Sequence, residues 1–177
     1  MVRVVHEHDF KASPWKNGGG ITREIARLDA AENFGWRLSV ADVKASGPFS
    51  LFPNHSRILV VVSGKGMKLV SSATTLDAMP YVPVQFSGKT QIDGQLIEGD
   101  CRDFNLIFDP KRFAADVQLV TGIPTKADCF GFYILEGRFI HENQCANVGN
   151  FVFLETQEPK FDTSLNFQGL AVFIKPL

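Results

Sequence analysis

No stretch of this 177-residue chain longer than about ten residues repeats its apolar side chains at helical spacing, and turn signals recur along its length. Trp36-Arg37-Leu38-Ser39-Val40-Ala41 alternates large apolar residues with polar or small ones. Alternation puts Arg37 and Ser39 on one face of a strand and Trp36, Leu38 and Val40 on the other. Val2 to Val5 with Phe10, Leu59 to Val62, Met67 to Val70, Gln91 to Ile97 and Phe104 to Phe108 read as further strands. Ser63-Gly64-Lys65-Gly66 reads as a hairpin turn, and Pro80 and Pro83 favour extended or edge structure. Ile21, Ile25 and Leu28 sit at helical spacing, but 21–28 is read as strand because the next segment pairs with it naturally. The expected class is all-β.

Composition narrows the function classes. With 45% hydrophobic and 21% charged residues the chain can bury a sizeable interior. Sixteen Phe against two Tyr point to dry cores lined by rings without hydroxyls. The net charge is −1 with acids and bases interspersed, so no basic footprint suggests nucleic acid or an anionic membrane. No run of 18 apolar residues occurs, and MVRVVHEHDF carries charges where a signal peptide's apolar region would sit. Cys101, Cys129 and Cys145 are odd in number and lack CxxC spacing, as expected of reduced thiols in a cytoplasmic protein.

The densest chemistry lies in Pro14 to Ala26, PWKNGGGITREIA. Three consecutive glycines allow positive φ and close approach of the backbone, at a loss of chain entropy that a mere connector has no reason to bear. The run lacks both the GxxxxGK[ST] spacing and a GxGxxG, so it is not read as a phosphate loop; a flexible loop with solvated Lys16 and Arg23 is the plain alternative.

PWKNGGGITREIA resembles the N-terminal signature of the HutD/Ves family of cupin-like proteins. WRLSVADV (36–43), GPFSLFPNHSRIL (47–59), SGKGMKL (63–69), FSG (86–88) and DFNLI (103–107) follow in the family's order. The likeness covers about the first 110 residues with specific motifs, and the remainder by general pattern. It implies a cupin-like β-barrel or jelly roll. Tyr133 to Arg138 echoes Val60 to Lys65, each an apolar triplet, a polar residue, Gly and a base, and each is read as a strand entering a hairpin turn. Chance is one explanation of the echo, strand-turn-strand being the commonest all-β unit. Taken with the family likeness, two barrels in one chain (a bicupin) is the better reading, an N-terminal one over 1–110 carrying the pocket and a smaller one over 111–177.

Many cupins hold a metal. Set on their motifs, this chain places Pro53, His55, Leu59 and Asn105 where ligands would stand. One imidazole and one amide cannot supply three or four converging donors, so neither metal nor cofactor is expected. The ligand positions should still face the barrel mouth, with His55 opposite Asn105, Arg57 beside His55, and Asp103 beside Asn105. The resulting candidate binding set is Trp15, Lys16, Asn17, Thr22, Arg23, Arg37, Ser39, His55, Arg57, Asp103 and Asn105. Arginine forks among them suit a small anionic metabolite. Arg57 and Asp103 could equally form a buried ion pair, and Asn105 could serve a backbone group.

The family likeness implies a metal-free binding protein, holding a carboxylated or formylated intermediate with a regulatory role in bacterial histidine utilisation. No catalytic residues are assigned; for a metal-independent enzyme, His55 with Asp103 is the one acid-base pair the sequence offers. The Ves branch adds a third reading, a stress-related structural protein with a barrel filled by Phe side chains. No nucleic-acid or membrane partner is expected, and homodimerisation is left open.

Overall fold

A computed structural model describes residues 2–29, 34–123, 129–154 and 167–177. Part of the 29–35 connector thus lies outside the described residues. Apart from one 3-10 turn at Glu7–Asp9, every regular element described is a strand, and the all-β expectation holds. In order they are β1 (Val2–Val5), β2 (Lys11–Pro14), β3 (Gly20–Leu28), β4 (Trp36–Val43), β5 (Gly47–Pro48), β6 (Ser56–Ser63), β7 (Met67–Val70) and β8 (Thr75–Ala78). Then come β9 (Val84–Ser87), β10 (Asp93–Leu96), β11 (Cys101–Phe108), β12 (Phe113–Thr121), β13 (Cys129–His141), β14 (Gln144–Asn147), β15 (Phe151–Leu154) and β16 (Phe167–Pro176). The 21–28 segment is a strand despite its helical apolar spacing, because β4 pairs along its whole length.

Two compact units divide the chain, Lys11–Phe113 and the pair Met1–Phe10 with Ala114–Leu177. The first unit holds a six-stranded sheet in the order β2-β3-β4-β11-β6-β9 and a four-stranded sheet β5-β10-β7-β8. Val43, Leu59, Val61 and Cys101 from the larger sheet meet Met67, Leu69 and Ala78 from the smaller in one buried cluster, which Phe49 and Ile92 complete. In the second unit β1-β15-β13-β16-β12 form one sheet, with β14 paired to β13. β1 lies against β15, Val2 opposite Leu154, and this pairing joins the first ten residues to the C-terminal segment. Phe132, Phe139 and Phe167 pack there ring on ring, as the Phe-rich composition leads one to expect. All three cysteines are free thiols.

Two turn expectations need correction. Ser63–Gly66 is not a hairpin, because β6 pairs with β11 and β9 whereas β7 pairs with β8 and β10. Left-handed Gly64 and Gly66 (φ +97° and +104°) carry the chain from one sheet to the other. A Cβ on Gly64 would lie 2.5 Å from the Asp100 carbonyl. In the second unit, β13 continues through Gly137 (φ +73°), past an irregularity in register between Ile134 and Glu136. The hairpin comes later, at Glu142, joining β13 to β14.

Candidate functional site

The larger sheet of the 11–113 unit lines its interior with polar residues, and the register shows how. Residues directly opposite on antiparallel strands share a face. Ser13, Thr22, Ala41 and Asp103 form one row across β2, β3, β4 and β11. Lys11, Glu24, Ser39 and Asn105 form the next. Arg27, Arg37, Ile107 and Arg57 form a third, from β3 to β6. Apart from Ile107, the residues of these rows line a cavity of about 830 Å³, walled by Trp15, Phe49 and Phe52.

The third row concentrates positive charge. Arg27 and Arg37 stand directly opposite one another, an arrangement that repels unless something negative lies between or above them. Glu24 answers part of this, 3.7 Å from Arg27. The Arg37 guanidinium lies over Phe52 at 5.1 Å and Phe34 at 5.7 Å. That of Arg57 lies over Phe86, Phe49 and Phe52 at 5.0, 5.3 and 5.6 Å. Rings on several sides strip these cations of water, and burial lowers the pKa of both, Arg57 to about 10. Among the described residues, Nε of Arg37 and Nε of Arg57 are the buried side-chain polar atoms without a hydrogen-bond partner.

Arg57 is nevertheless fixed. Its Nη2 donates to Asn105 Oδ1 at 2.9 Å and its Nη1 to the Ser50 carbonyl at 3.4 Å. Asn105 in turn donates through Nδ2 to Asp103 Oδ1. Asp103 is 1% exposed, and burial pushes its carboxyl up to about 7 although Arg57 and Asn105 both pull it down. The three side chains form a relay, in which the amide links cation and carboxyl.

The glycine-rich segment closes the β2–β3 hairpin. Trp15 N–H donates to the Gly20 carbonyl and Gly18 N–H to that of Trp15. The Trp15 ring meets Phe49 edge to face at 6.3 Å, and its Nε1 donates to Thr22 Oγ1 at 2.8 Å. Gly20 is obligatory beneath it, since a Cβ would sit 3.1 Å from the indole and 2.4 Å from the Asp42 carbonyl. Lys16 and Asn17 border the same cavity, and Asn17 Oδ1 accepts from Gly19 N–H.

Of the eleven candidates, Trp15, Lys16, Asn17, Thr22, Arg37, Ser39, Arg57, Asp103 and Asn105 line the cavity. Arg23 does not. As the strand neighbour of Thr22 it projects from the opposite face, where it and Arg102 both bond Asp42. Burial alone would raise the Asp42 pKa, but the two guanidinium hydrogen bonds outweigh it and hold the group below its usual value. His55 is also elsewhere, buried, stacked on Phe34 at 4.2 Å and donating from Nε2 to the Phe34 carbonyl at 2.8 Å. It therefore neither faces Asn105 nor reaches Asp103, and the acid-base pair an enzyme would need from them is not assembled. Leu59, at a third cupin ligand position, belongs to the apolar cluster. Among the described residues no three His, Cys, Asp or Glu side chains gather as a metal would require, and the cupin ligand positions do not fit one.

Lys11, Glu24, Arg27, Phe49, Ser50 and Phe52 line the cavity without having been expected. Counting in twos from Thr22 finds Glu24. It misses Arg27, because a bulge between Glu24 and Ala26 resets the alternation.

The HutD family model matches residues 7–165. The chain belongs to the HutD family. It is 42% identical over 125 residues to an uncharacterized 21.2 kDa protein of the hutC 3' region of Pseudomonas putida, a match covering 69% of this chain and 66% of that protein. The chain thus spans just under two thirds of that relative's length. Protein Ves of Cronobacter sakazakii is 29% identical over 136 residues, 73% of this chain and 75% of Ves. Among solved structures, HutD from Pseudomonas fluorescens SBW25 superposes with a TM-score of 0.83 at 29% identity, covering all of both chains. The fold of this HutD-family chain is cupin-like.

Proposed function

We propose that this HutD-family protein binds a small anionic metabolite, a carboxylate or formyl amino acid, in the cavity of its 11–113 unit without the help of a metal. The observation that carries the reading is the arginine row. Arg27, Arg37 and Arg57 are drawn onto one face, and two of them keep a buried N–H without a partner. Building like charges together and stripping their water is unfavourable unless an anion offsets it. Lys11 and Lys16 add positive potential at the same cavity, and the aromatic wall suits the carbon skeleton. The hut-region origin of the Pseudomonas putida relative favours a regulatory or carrier role in histidine utilisation.

The test is a thermal-shift and calorimetric screen of formate, succinate and N-formyl amino acids. A ligand at 100 times its dissociation constant should add about 2.7 kcal/mol of stability. Arg37→Ala should weaken binding roughly 10- to 100-fold, the loss of one or two charge-assisted hydrogen bonds. If no anion stabilises the protein, the reading falls.

A further inference from the structure

We propose that Asp103 is the positioning residue of this anion site, holding Arg57 through Asn105, and that filling the site drives a proton onto Asp103. The inference rests on the anion-binding reading above and adds to it a proton-linked affinity.

The geometry leaves few alternatives. Asn105 uses both ends of its amide, accepting from Arg57 and donating to Asp103, so the carboxyl determines which way the amide points. Asp103 touches the cavity yet is almost wholly buried. The cation whose field acts on it is Arg57 from β6, which favours the carboxylate. From the other strands the cavity brings Arg37 of β4, Glu24 and Arg27 of β3 and Lys11 of β2, with Lys16 from the hairpin loop. Behind the sheet, Asp42 of β4 opposes ionisation of Asp103 while itself bonded to Arg102 and Arg23.

An anion docked on Arg57 counters the field that keeps Asp103 ionised. The balance between burial and Arg57 is close, since the carboxyl already titrates near neutrality in the free protein. Occupancy therefore raises its proton affinity, and by linkage protonation raises anion affinity by the same factor. One proton crosses from solvent to the Asp103 carboxyl per anion bound, at the most. Affinity should then rise as pH falls from 8 to 6, by no more than tenfold per unit.

Titration calorimetry with succinate at pH 7 in MOPS and in Tris, buffers of different ionisation enthalpy, counts the protons. The expected result is uptake of a fraction of one proton by the unmodified protein and none by Asp103→Asn, whose affinity should be level from pH 6 to 8. Carbon-13 NMR of the Asp103 carboxyl needs no variant, and its titration midpoint should move up when succinate is added. Succinate binding without proton uptake, or with equal uptake in the variant, overturns the role of Asp103 and leaves the anion site standing. Absence of binding by succinate and by every other anion of the screen overturns the anion-site reading and this inference together.

Discussion

Asp103 makes its mark on the protein even with the cavity unfilled. Its carboxyl titrates near 7 in the folded chain against an ordinary value of 3.8. Between those values the native state holds a proton that the unfolded chain has released. Stability therefore falls as pH rises across that interval and levels off above it. Asp42, held below its ordinary value, works in the opposite sense, and its window lies lower, as pH falls through the acid range. Urea unfolding at pH 5 and pH 7.5 should show the unmodified protein losing more stability between the two than Asp103→Asn does. Equal losses would mean that the carboxyl is not shifted by burial.

The larger sheet of the 11–113 unit shows what alternation can and cannot reveal. The faces of 36–41 were legible, and with them the placement of Arg37 and Ser39, because period two is a property of one strand alone. Arg23 was misplaced for want of the same rule, since neighbours on a strand cannot share a face. Its outward position makes a prediction. Arg23→Ala should leave anion binding unchanged yet cost about 1–2 kcal/mol in urea unfolding, because a carboxylate loses one of two cationic donors. What the sequence concealed is partnership between strands. Glycines at 64 and 66 announced a change of direction, but no local residue said that β7 would leave the sheet of β6. His55 stood at a ligand position of the cupin frame, and the Phe34 carbonyl that claims it comes from 21 residues away. The bulge after Glu24 hid Arg27 for a related reason, as a bulge is defined only against its partner strand.

At the scale of the molecule, the unit formed by the two chain ends depends on its longest-range pairing, β1 with β15. Phe151 is fully buried there, its ring over Gly131, where a Cβ would come within 2.6 Å of it. Removing that ring should cost about 3–5 kcal/mol. Native-state hydrogen exchange is the measure. In Phe151→Ala the amides of Val2–Val5 should lose protection together with those of Phe151–Leu154, although 146 residues or more separate them in sequence. Loss confined to β15 would show that the first strand is held by something else.

The order of synthesis gives that pairing a further meaning. A nascent chain extrudes Val2–Val5 long before residues 151–154 exist, so β1 is among the last strands to find its neighbour. The intervening 11–113 segment contains every strand of its own two sheets and can condense meanwhile, which shortens the loop the ends must close. A translational pause or premature stop before position 151 would leave an apolar β-edge unmatched, the kind of surface on which chaperones act and aggregates nucleate.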